Sequence, residues 1–375
     1  MIDFKESQDL DHRPNGANPV AIDVAQRLIL KCELSPGDVV VMTAVVRDLQ
    51  LAYPRRFLID VRTTGPQIWE NNPYLTRLDE ADPDVRVIEM HYPLIHESNQ
   101  RPYHFLHAYP MYLERQLGLP IPLTQFKGDM HISQLEKSWV SQVEETGFRG
   151  NFWVIVTGGK YDYTAKWWNP EYAQAVVNHF RGRILFVQCG EAHHWHPRLD
   201  GVLDLIGKTD LRQFIRLVYH ADGVLCPVTF AMHLAAAVET KAGKPRNRPC
   251  VVVAGGREPS HWEAYTHHQY IGTNGVLPCC DAGGCWRSRC QPVGDGDEKD
   301  WSLCERPVQL SPGLRIPQCM NMITPSDVIR RIEMYYEGGS LRYNEDGAEN
   351  VIRNVLSAYP VNGSTLLAPS GQQTM

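Results

Sequence analysis

Residues 223–262 read GVLCPVTFAMHLAAAVETKAGKPRNRPCVVVAGGREPSHW, and this stretch decides the fold. Two short apolar runs, residues 223–225 and 251–254, are bounded by Gly and Pro, a pattern typical of interior strands of a parallel sheet. Between them an alanine-rich run that opens near residues 229–232 predicts a helix packed closely on that sheet. Two strand ends and one helix start therefore meet at one sheet edge, where open α/β proteins bind ligands. The free N–H groups of a helix start favour a phosphate there, so this stretch predicts a nucleotide site.

Length and composition set the broad class of the protein. A chain of 375 residues exceeds one ordinary core, which favours two domains of roughly 150–200 residues each. A hydrophobic content of 43% and a charged content of 21% are typical of a soluble globular protein. The formal net charge of −6 gives no reason to expect a nucleic acid as a partner. The polar N-terminus and the lack of a long apolar run indicate a cytoplasmic protein, with peripheral contact to a membrane left open.

Strand-like and helix-like segments alternate along the chain, as in two successive Rossmann-like halves that face a cleft. Residues 20–32 have the apolar spacing of a helix, and two further segments of the first half, 57–61 and 85–90, resemble strands. The strands predicted in the second half before the opening stretch are 152–156, 184–188 and 202–205. The expected units are a flexible N-terminus (1–20), an N-terminal Rossmann-like domain (21–145), a C-terminal Rossmann-like domain (146–275), a Cys-rich segment (276–325) and a C-terminal helix with a tail (326–375).

The ten cysteines are unevenly distributed. Four are scattered in apolar surroundings typical of buried thiols, whereas the other six crowd a Gly-rich segment: Cys279, Cys280, Cys285, Cys290, Cys304 and Cys319. In a reducing compartment such a cluster favours a metal site over a disulfide framework. Four thiolates could hold a structural Zn or Fe ion in tetrahedral geometry, and the set we predict is Cys280, Cys285, Cys304 and Cys319. Substitution of one ligand by Cys279 or Cys290, unligated thiols, and a redox pair remain alternatives.

Four segments carry a resemblance to a known family: PGDVVVMTAVVRDL (36–49), Lys166-Trp167-Trp168, VTFAMHLAAAVE (228–239) and VVVAGGREPSHWEAY (251–265). Their order and spacing over roughly residues 35–275 resemble the family 9, heptosyltransferase-like glycosyltransferases. The resemblance implies an α/β fold of the GT-B type, with two doubly wound domains, the first (21–145) for the acceptor and the second (146–275) for the nucleotide sugar. It also implies inverting transfer of a heptose-like sugar from a nucleotide-diphosphate donor, expected to be ADP-linked, to a glycan, lipid-glycan or protein acceptor. No metal is expected to be required for that chemistry.

The resemblance also suggests roles for individual residues. Asp38 occupies the position of the family's catalytic aspartate, although an Asp at a helix start also serves as a cap worth about 1 kcal/mol. Lys166 matches the lysine that reaches the donor phosphates, Lys160 is its competitor, and a solvated lysine is the alternative for both. Further donor-binding candidates are Glu191 for the ribose hydroxyls, Thr229, Met232 and His233 near the diphosphate, and Gly255 and Gly256 for close backbone approach to the nucleotide or for a simple turn.

One departure from the family pattern affects the functional prediction. The family carries an Asp-Ser/Thr-Gly triplet before its His-Leu pair, whereas this chain has Val228, Thr229 and Phe230. A catalytically inactive nucleotide- or metal-binding scaffold of the same fold is therefore the alternative to a transferase. Some relatives that modify proteins carry a four-cysteine metal finger, which supports the predicted metal site. Homo-oligomer formation is left open.

Overall fold

The computed structural model describes residues 25–95 and 97–337. The first half is built on a three-stranded parallel sheet with strand order β2-β1-β3. Its elements are β1 (Gln26–Cys32), α1 (Pro36–Ala52), β2 (Phe57–Thr63), β3 (Val85–Glu89), α2 (Ala108–Leu117) and α3 (Gln134–Ser138). The predicted flexible terminus (1–20) and the tail beyond residue 337 lie outside the described residues.

The helix predicted over residues 20–32 is wrong, because Gln26–Cys32 forms the central strand β1. This strand pairs in parallel with β2 on one side and β3 on the other. Leu28, Ile29 and Leu30 are at most 1% exposed, so both faces of the strand are buried. A strand buried on both faces lacks the alternation of apolar and polar residues that distinguishes a strand from a helix.

Helix α1 follows β1 directly and lies at the boundary between the two halves. Pro36 occupies the first turn, where a missing N–H costs nothing, and the helix ends at Ala52, two residues before Pro54. Its side chains are buried almost all round, as expected for a helix covered on every side. Gly37 permits the close contact of α1 with the second half, since a Cβ there would lie 3.1 Å from Cδ2 of His233.

The second half contains a six-stranded, all-parallel sheet with strand order β6-β5-β4-β7-β8-β9. Its elements are β4 (Phe152–Ile155), α4 (Pro170–His179), β5 (Leu185–Gln188), β6 (Leu203–Asp204), α5 (Leu211–His220), β7 (Gly223–Pro227), α6 (Phe230–Ala237), β8 (Cys250–Gly255), α7 (Ser260–Glu263) and β9 (Gln269–Gly272). The two interior strands and the helix predicted from the opening stretch are therefore confirmed as β7, α6 and β8. Because all six strands run in parallel, the loops after them gather at one edge.

The Cys-rich segment, residues 276–325, packs against that half through the loops that follow β4 and β8. It contains an antiparallel hairpin and a short helix: β10 (Pro307–Ser311), β11 (Leu314–Pro317) and α8 (Gln318–Asn321). Arg289 at its centre is 0% exposed and pairs with Asp162, Asp295 and Asp300. Helix α9 (Pro325–Glu337) then returns to the sheet, where Tyr335 is buried. The segment is thus anchored to the loop that carries Asp162.

Polar contacts join the two halves across the cleft. The Nζ of Lys160 donates to the Oγ of Ser35 at 2.9 Å. Arg212 of α5 donates to the Glu136 carboxylate of α3 from Nε at 2.6 Å and from Nη2 at 2.8 Å. These contacts hold α1 opposite the carboxyl edge of the six-stranded sheet. Across the described part of the chain, no helix combines the length and apolar character needed to cross a membrane.

Candidate active site

A cavity of about 710 Å³ lies between the two halves, at the carboxyl edge of the six-stranded sheet. The loops after β4, β5, β7 and β8 form one wall, and the start of α1 forms the other. The residues of the loops that follow strands include Lys160, Tyr163, Lys166, Glu191, His194, Thr229, Arg257, Glu258 and Glu263. Ligand-sized clefts at this edge are the usual binding sites of open α/β folds.

Two helix N-termini converge on this cavity from opposite sides. Helix α1 begins at Pro36 and helix α6 begins at Phe230, and both residues line the cavity. The N-cap residue of α6, Thr229, uses its side chain for no capping hydrogen bond. Each helix start presents unpaired N–H groups and the positive end of its dipole. The middle of the cavity is therefore suited to an anionic group such as a pyrophosphate.

Asp38 lies in the first turn of α1 and lines the cavity. Burial raises the pKa of its carboxyl, while a hydrogen bond with Tyr92 and the charge of Lys166 oppose this increase. A carboxylate whose pKa is raised is a stronger proton acceptor once it is ionised. The arrangement can remove a proton from a hydroxyl group placed in the cavity.

Lys166 and Arg257 share one buried carboxylate. The Nζ of Lys166 is 2.9 Å from Oε1 of Glu258, and the guanidinium of Arg257 contacts the same oxygen. Burial acts to raise the pKa of Glu258, but the charges of Arg257 and Lys166 outweigh it, so the pKa is lowered. Both cations also lie over the ring of Tyr163, at 5.5 Å and 5.2 Å from its centroid. The result is a fixed pair of positive charges on the wall opposite Asp38.

His233 occupies the inner turn of α6 and is 5% exposed. Burial lowers the pKa of its ring to about 3, so the imidazole is neutral near pH 7. Its Nδ1 lies 2.8 Å from the hydroxyl of Tyr265, and its Nε2 lies 3.6 Å from Oε2 of Glu263. His233 borders the cavity as a neutral polar group.

The remaining donor-site candidates separate into two groups. Lys160 and Glu191 line the cavity at the end formed by the loops after β4 and β5, where Glu191 is exposed to solvent. Met232, on α6, does not reach the cavity, because its side chain is 0% exposed and packs into the hydrophobic core. Phe230 lines the cavity and packs against Phe214, with ring centroids 5.9 Å apart, so it narrows the cavity without filling it.

Gly255 ends strand β8 and Gly256 follows it, and both lie against the Cys-rich segment. Gly255 has φ of +66°, and a Cβ there would lie 2.6 Å from Sδ of Met320. A Cβ on Gly256 would lie 2.9 Å from Sγ of Cys280. The space beside both glycines is therefore occupied by the Cys-rich segment, and neither glycine borders the cavity described above. A nucleotide bound in that cavity would therefore not reach the backbone of Gly255 or Gly256.

The predicted metal ligands border a second, small cavity of about 20 Å³. Five thiols face it: Cys279, Cys280, Cys285, Cys304 and Cys319. This set contains all four predicted ligands, and thiolates are the usual donors to structural Zn and to iron. Within residues 25–95 and 97–337, however, no group of three or more His, Cys, Asp or Glu side chains is arranged to hold a metal ion. The chemistry of the donors fits a metal, while the present arrangement is that of separate thiols.

Comparison with known proteins places this geometry in a family. Residues 96–279 match the model of glycosyltransferase family 9 (heptosyltransferase). This part of the chain is similar to a family 9 domain. The predicted enzyme class, glycosyltransferase, is thereby confirmed, and the matched range contains Lys166, Thr229 and His233 but not Asp38. No curated protein matches the sequence significantly.

Solved structures of family 9 proteins share the fold. A family 9 glycosyltransferase from Veillonella parvula DSM 2008 is 15% identical with a TM-score of 0.51, and the match covers 68% of this chain and 88% of that one. The iron-containing dodecameric glycosyltransferase TibC from enterotoxigenic E. coli H10407 is 16% identical with a TM-score of 0.55, covering 84% and 76%. A structure of dodecameric iron-containing heptosyltransferase TibC in complex with ADP-D-beta-D-heptose is 15% identical with a TM-score of 0.56. The match covers 89% of this chain and 82% of that one. The predicted α/β fold of the GT-B type is confirmed.

The sequence prediction missed several cavity residues that follow β8. Arg257, Glu258 and Glu263 belong to the segment GGREPSHWE, directly after the second strand of the stretch quoted at the outset. Their position just after a strand of a parallel sheet could have identified them as site residues, because such residues lie at the ligand-binding edge of the sheet. Tyr92 carried a weaker signal, since it follows β3 at the corresponding edge of the first half.

Proposed function

We propose that the protein is an inverting glycosyltransferase that moves a heptose-like sugar from an ADP-linked donor to a hydroxyl group of a glycan, lipid-glycan or protein. The observation that carries this proposal is the position of Asp38, in the first turn of α1, across one cavity from the start of α6 and a pair of cations. The family 9 match supports the reaction class. The complex of TibC with ADP-D-beta-D-heptose supports the choice of donor.

The proposed reaction needs one proton acceptor and one site for developing negative charge. Asp38 takes the proton of the acceptor hydroxyl as its oxygen bonds to the anomeric carbon of the sugar. The bond from that carbon to the pyrophosphate oxygen breaks, and the nucleoside diphosphate leaves with the electron pair. Lys166, Lys160 and the N–H groups at the start of α6 offset the charge that develops on it. Glu191, at the open end of the cavity, binds the ribose hydroxyls.

A nucleotide panel tests the proposed function. Thermal shifts are measured with ADP, UDP, GDP and CDP, and release of ADP from ADP-heptose is then followed with a candidate acceptor. We expect ADP to raise the melting temperature, and we expect Lys166→Met to reduce that shift relative to Lys241→Met, which changes a lysine that pairs with Glu144 outside the cavity. Failure of every nucleotide to stabilise the protein would favour the alternative, an inactive scaffold.

We further propose that Cys280, Cys285, Cys304 and Cys319 bind one structural metal ion, iron or zinc. The grouping of these thiols around one small cavity supports this, as does the iron in TibC. Inductively coupled plasma mass spectrometry of protein purified without chelators is expected to find one metal ion per chain. Cys304→Ser should lose it, whereas Cys189→Ala, which removes a buried thiol elsewhere, should keep it. Equal metal content in both variants would exclude this ligand set.

The proposed location is the cytoplasm. The ten cysteines are all free thiols in the structure, including those that lie close together in the Cys-rich segment. Free thiols are maintained in reducing compartments. Labelling of the thiols in intact cells and in lysates measures this directly, and extensive disulfide formation in cells would contradict it.

A further inference from the structure

The wall of the cavity around Lys166 contains three carboxyl groups and two cations. Asp38 has a hydrogen bond with Tyr92, and Glu258 pairs with both Lys166 and Arg257. The third carboxyl is that of Glu263 on α7, and its surroundings differ from those of the other two. Glu263 is 6% exposed, yet it lines the cavity.

The Oε2 atom of Glu263 has no hydrogen-bond partner among the described residues. The nearest cationic candidate, Nε2 of His233, is 3.6 Å away, beyond hydrogen-bond distance, and that ring is neutral. An unpaired polar atom that is buried normally costs stability, and such groups in native proteins usually have a functional explanation. Because Glu263 borders the cavity, a ligand bound there can supply the missing partner once the carboxyl turns toward it.

The position of Glu263 indicates which part of a ligand it meets. It follows β8, whereas Glu191 follows β5, three strands away in the sheet order. The helix start of α6 follows β7, which lies between them, and there the site is suited to a pyrophosphate. In a nucleotide sugar the pyrophosphate joins the ribose to the transferred sugar. If the ribose lies near Glu191, the transferred sugar therefore lies toward Glu263. A carboxyl group suits hydroxyl groups, which both donate and accept hydrogen bonds.

We propose that Glu263 binds a hydroxyl group of the sugar carried by the nucleotide donor and so lets the site distinguish a nucleotide sugar from the free nucleoside diphosphate. This inference rests on the proposed function. Burial, followed by the charge of Glu258, raises the pKa of Glu263, so the carboxyl retains a proton that it can donate to a sugar oxygen. The residue acts in donor selection, and its side chain has no part in the proton transfer assigned to Asp38.

Isothermal titration calorimetry with ADP and with ADP-heptose tests the inference. In the wild type we expect ADP-heptose to bind more tightly than ADP. Glu263→Met, which keeps side-chain length but removes both polar atoms, should weaken ADP-heptose binding about tenfold and leave ADP binding within twofold. Glu263→Gln keeps a donor and an acceptor, so it should retain ADP-heptose binding within about threefold. Glu171→Met, at an exposed position on α4, is the control and should change neither affinity.

The possible results separate the inference from the function on which it rests. If Glu263→Met weakens ADP and ADP-heptose equally, or weakens neither, the inference is wrong while nucleotide binding stands. If Glu263→Gln is as weak as Glu263→Met although both variants remain folded by circular dichroism, hydroxyl binding by a protonated carboxyl is also wrong. If the wild type binds neither compound, the proposed function fails and this inference fails with it.

Discussion

Replacement of Asp38 by Asn removes the proposed proton acceptor while keeping the shape of the side chain. Lys166 and the two helix starts remain in place, so the groups that bind the pyrophosphate are unchanged. General base catalysis contributes about 10²- to 10⁴-fold to a rate. We therefore expect kcat to fall by that factor, equivalent to about 3–5 kcal/mol of activation free energy. Donor affinity should change less than threefold.

The assay is steady-state release of ADP from ADP-heptose with saturating acceptor, alongside calorimetry with ADP. Asp82→Asn is the matched control, because Asp82 belongs to the same half but pairs with Arg27 outside the cavity. In the wild type, the acid limb of kcat should lie above the ordinary aspartate pKa of 3.8, since burial raises the pKa of Asp38. A kcat for Asp38→Asn within threefold of the wild type would refute the role of this carboxylate.

Three further predictions concern the cavity wall and the glycines behind it. Lys166→Gln should weaken ADP binding about tenfold in calorimetry. It should also lower the unfolding free energy by about 1–3 kcal/mol, because Glu258 loses one of its two charge partners. If both quantities are unchanged, Lys166 neither binds the pyrophosphate nor stabilises Glu258. Because folding raises the pKa of Glu263 to about 8, the unfolding free energy should fall as pH rises from about 5 to 8. Glu263→Gln should reduce the slope of unfolding free energy against pH, measured by urea titration, by up to about 1.4 kcal/mol per pH unit. Identical slopes in the two proteins would show that this carboxyl ionises normally. Gly255→Ala should cost about 1–2 kcal/mol, because φ is +66° and Met320 must move, and an unchanged urea midpoint would refute that packing.

The elements that sequence patterns predicted well are those whose character is local. The strands β7 and β8 and the helix α6 each follow from a short run of apolar residues with Gly or Pro at its ends. Strand β1 was mistaken for a helix because its burial on both faces comes from β2 and β3, which lie later in the chain. The hydrophobic periodicity of a segment does not show which distant strands will cover it.

The predicted residues that line the cavity come from segments that follow strands, and some of them also belong to a family motif. Asp38, Lys166 and Thr229 meet both conditions, and all three line the cavity. Lys166 and Glu258 form an ion pair although they are 92 positions apart in the sequence, so no local sequence pattern could predict it. The surroundings of Gly255, at the end of β8, likewise depend on a segment about 65 residues further along the chain, which brings Met320 against it.

The most direct test of the central claim is a crystal structure of the protein with ADP bound. The account predicts that the pyrophosphate lies between the starts of α1 and α6, within hydrogen-bond distance of Thr229 and close to Lys166, with Asp38 of α1 on the wall that faces these two residues. Density for ADP outside this cavity, or a pyrophosphate that contacts neither helix start, would contradict the proposed donor site.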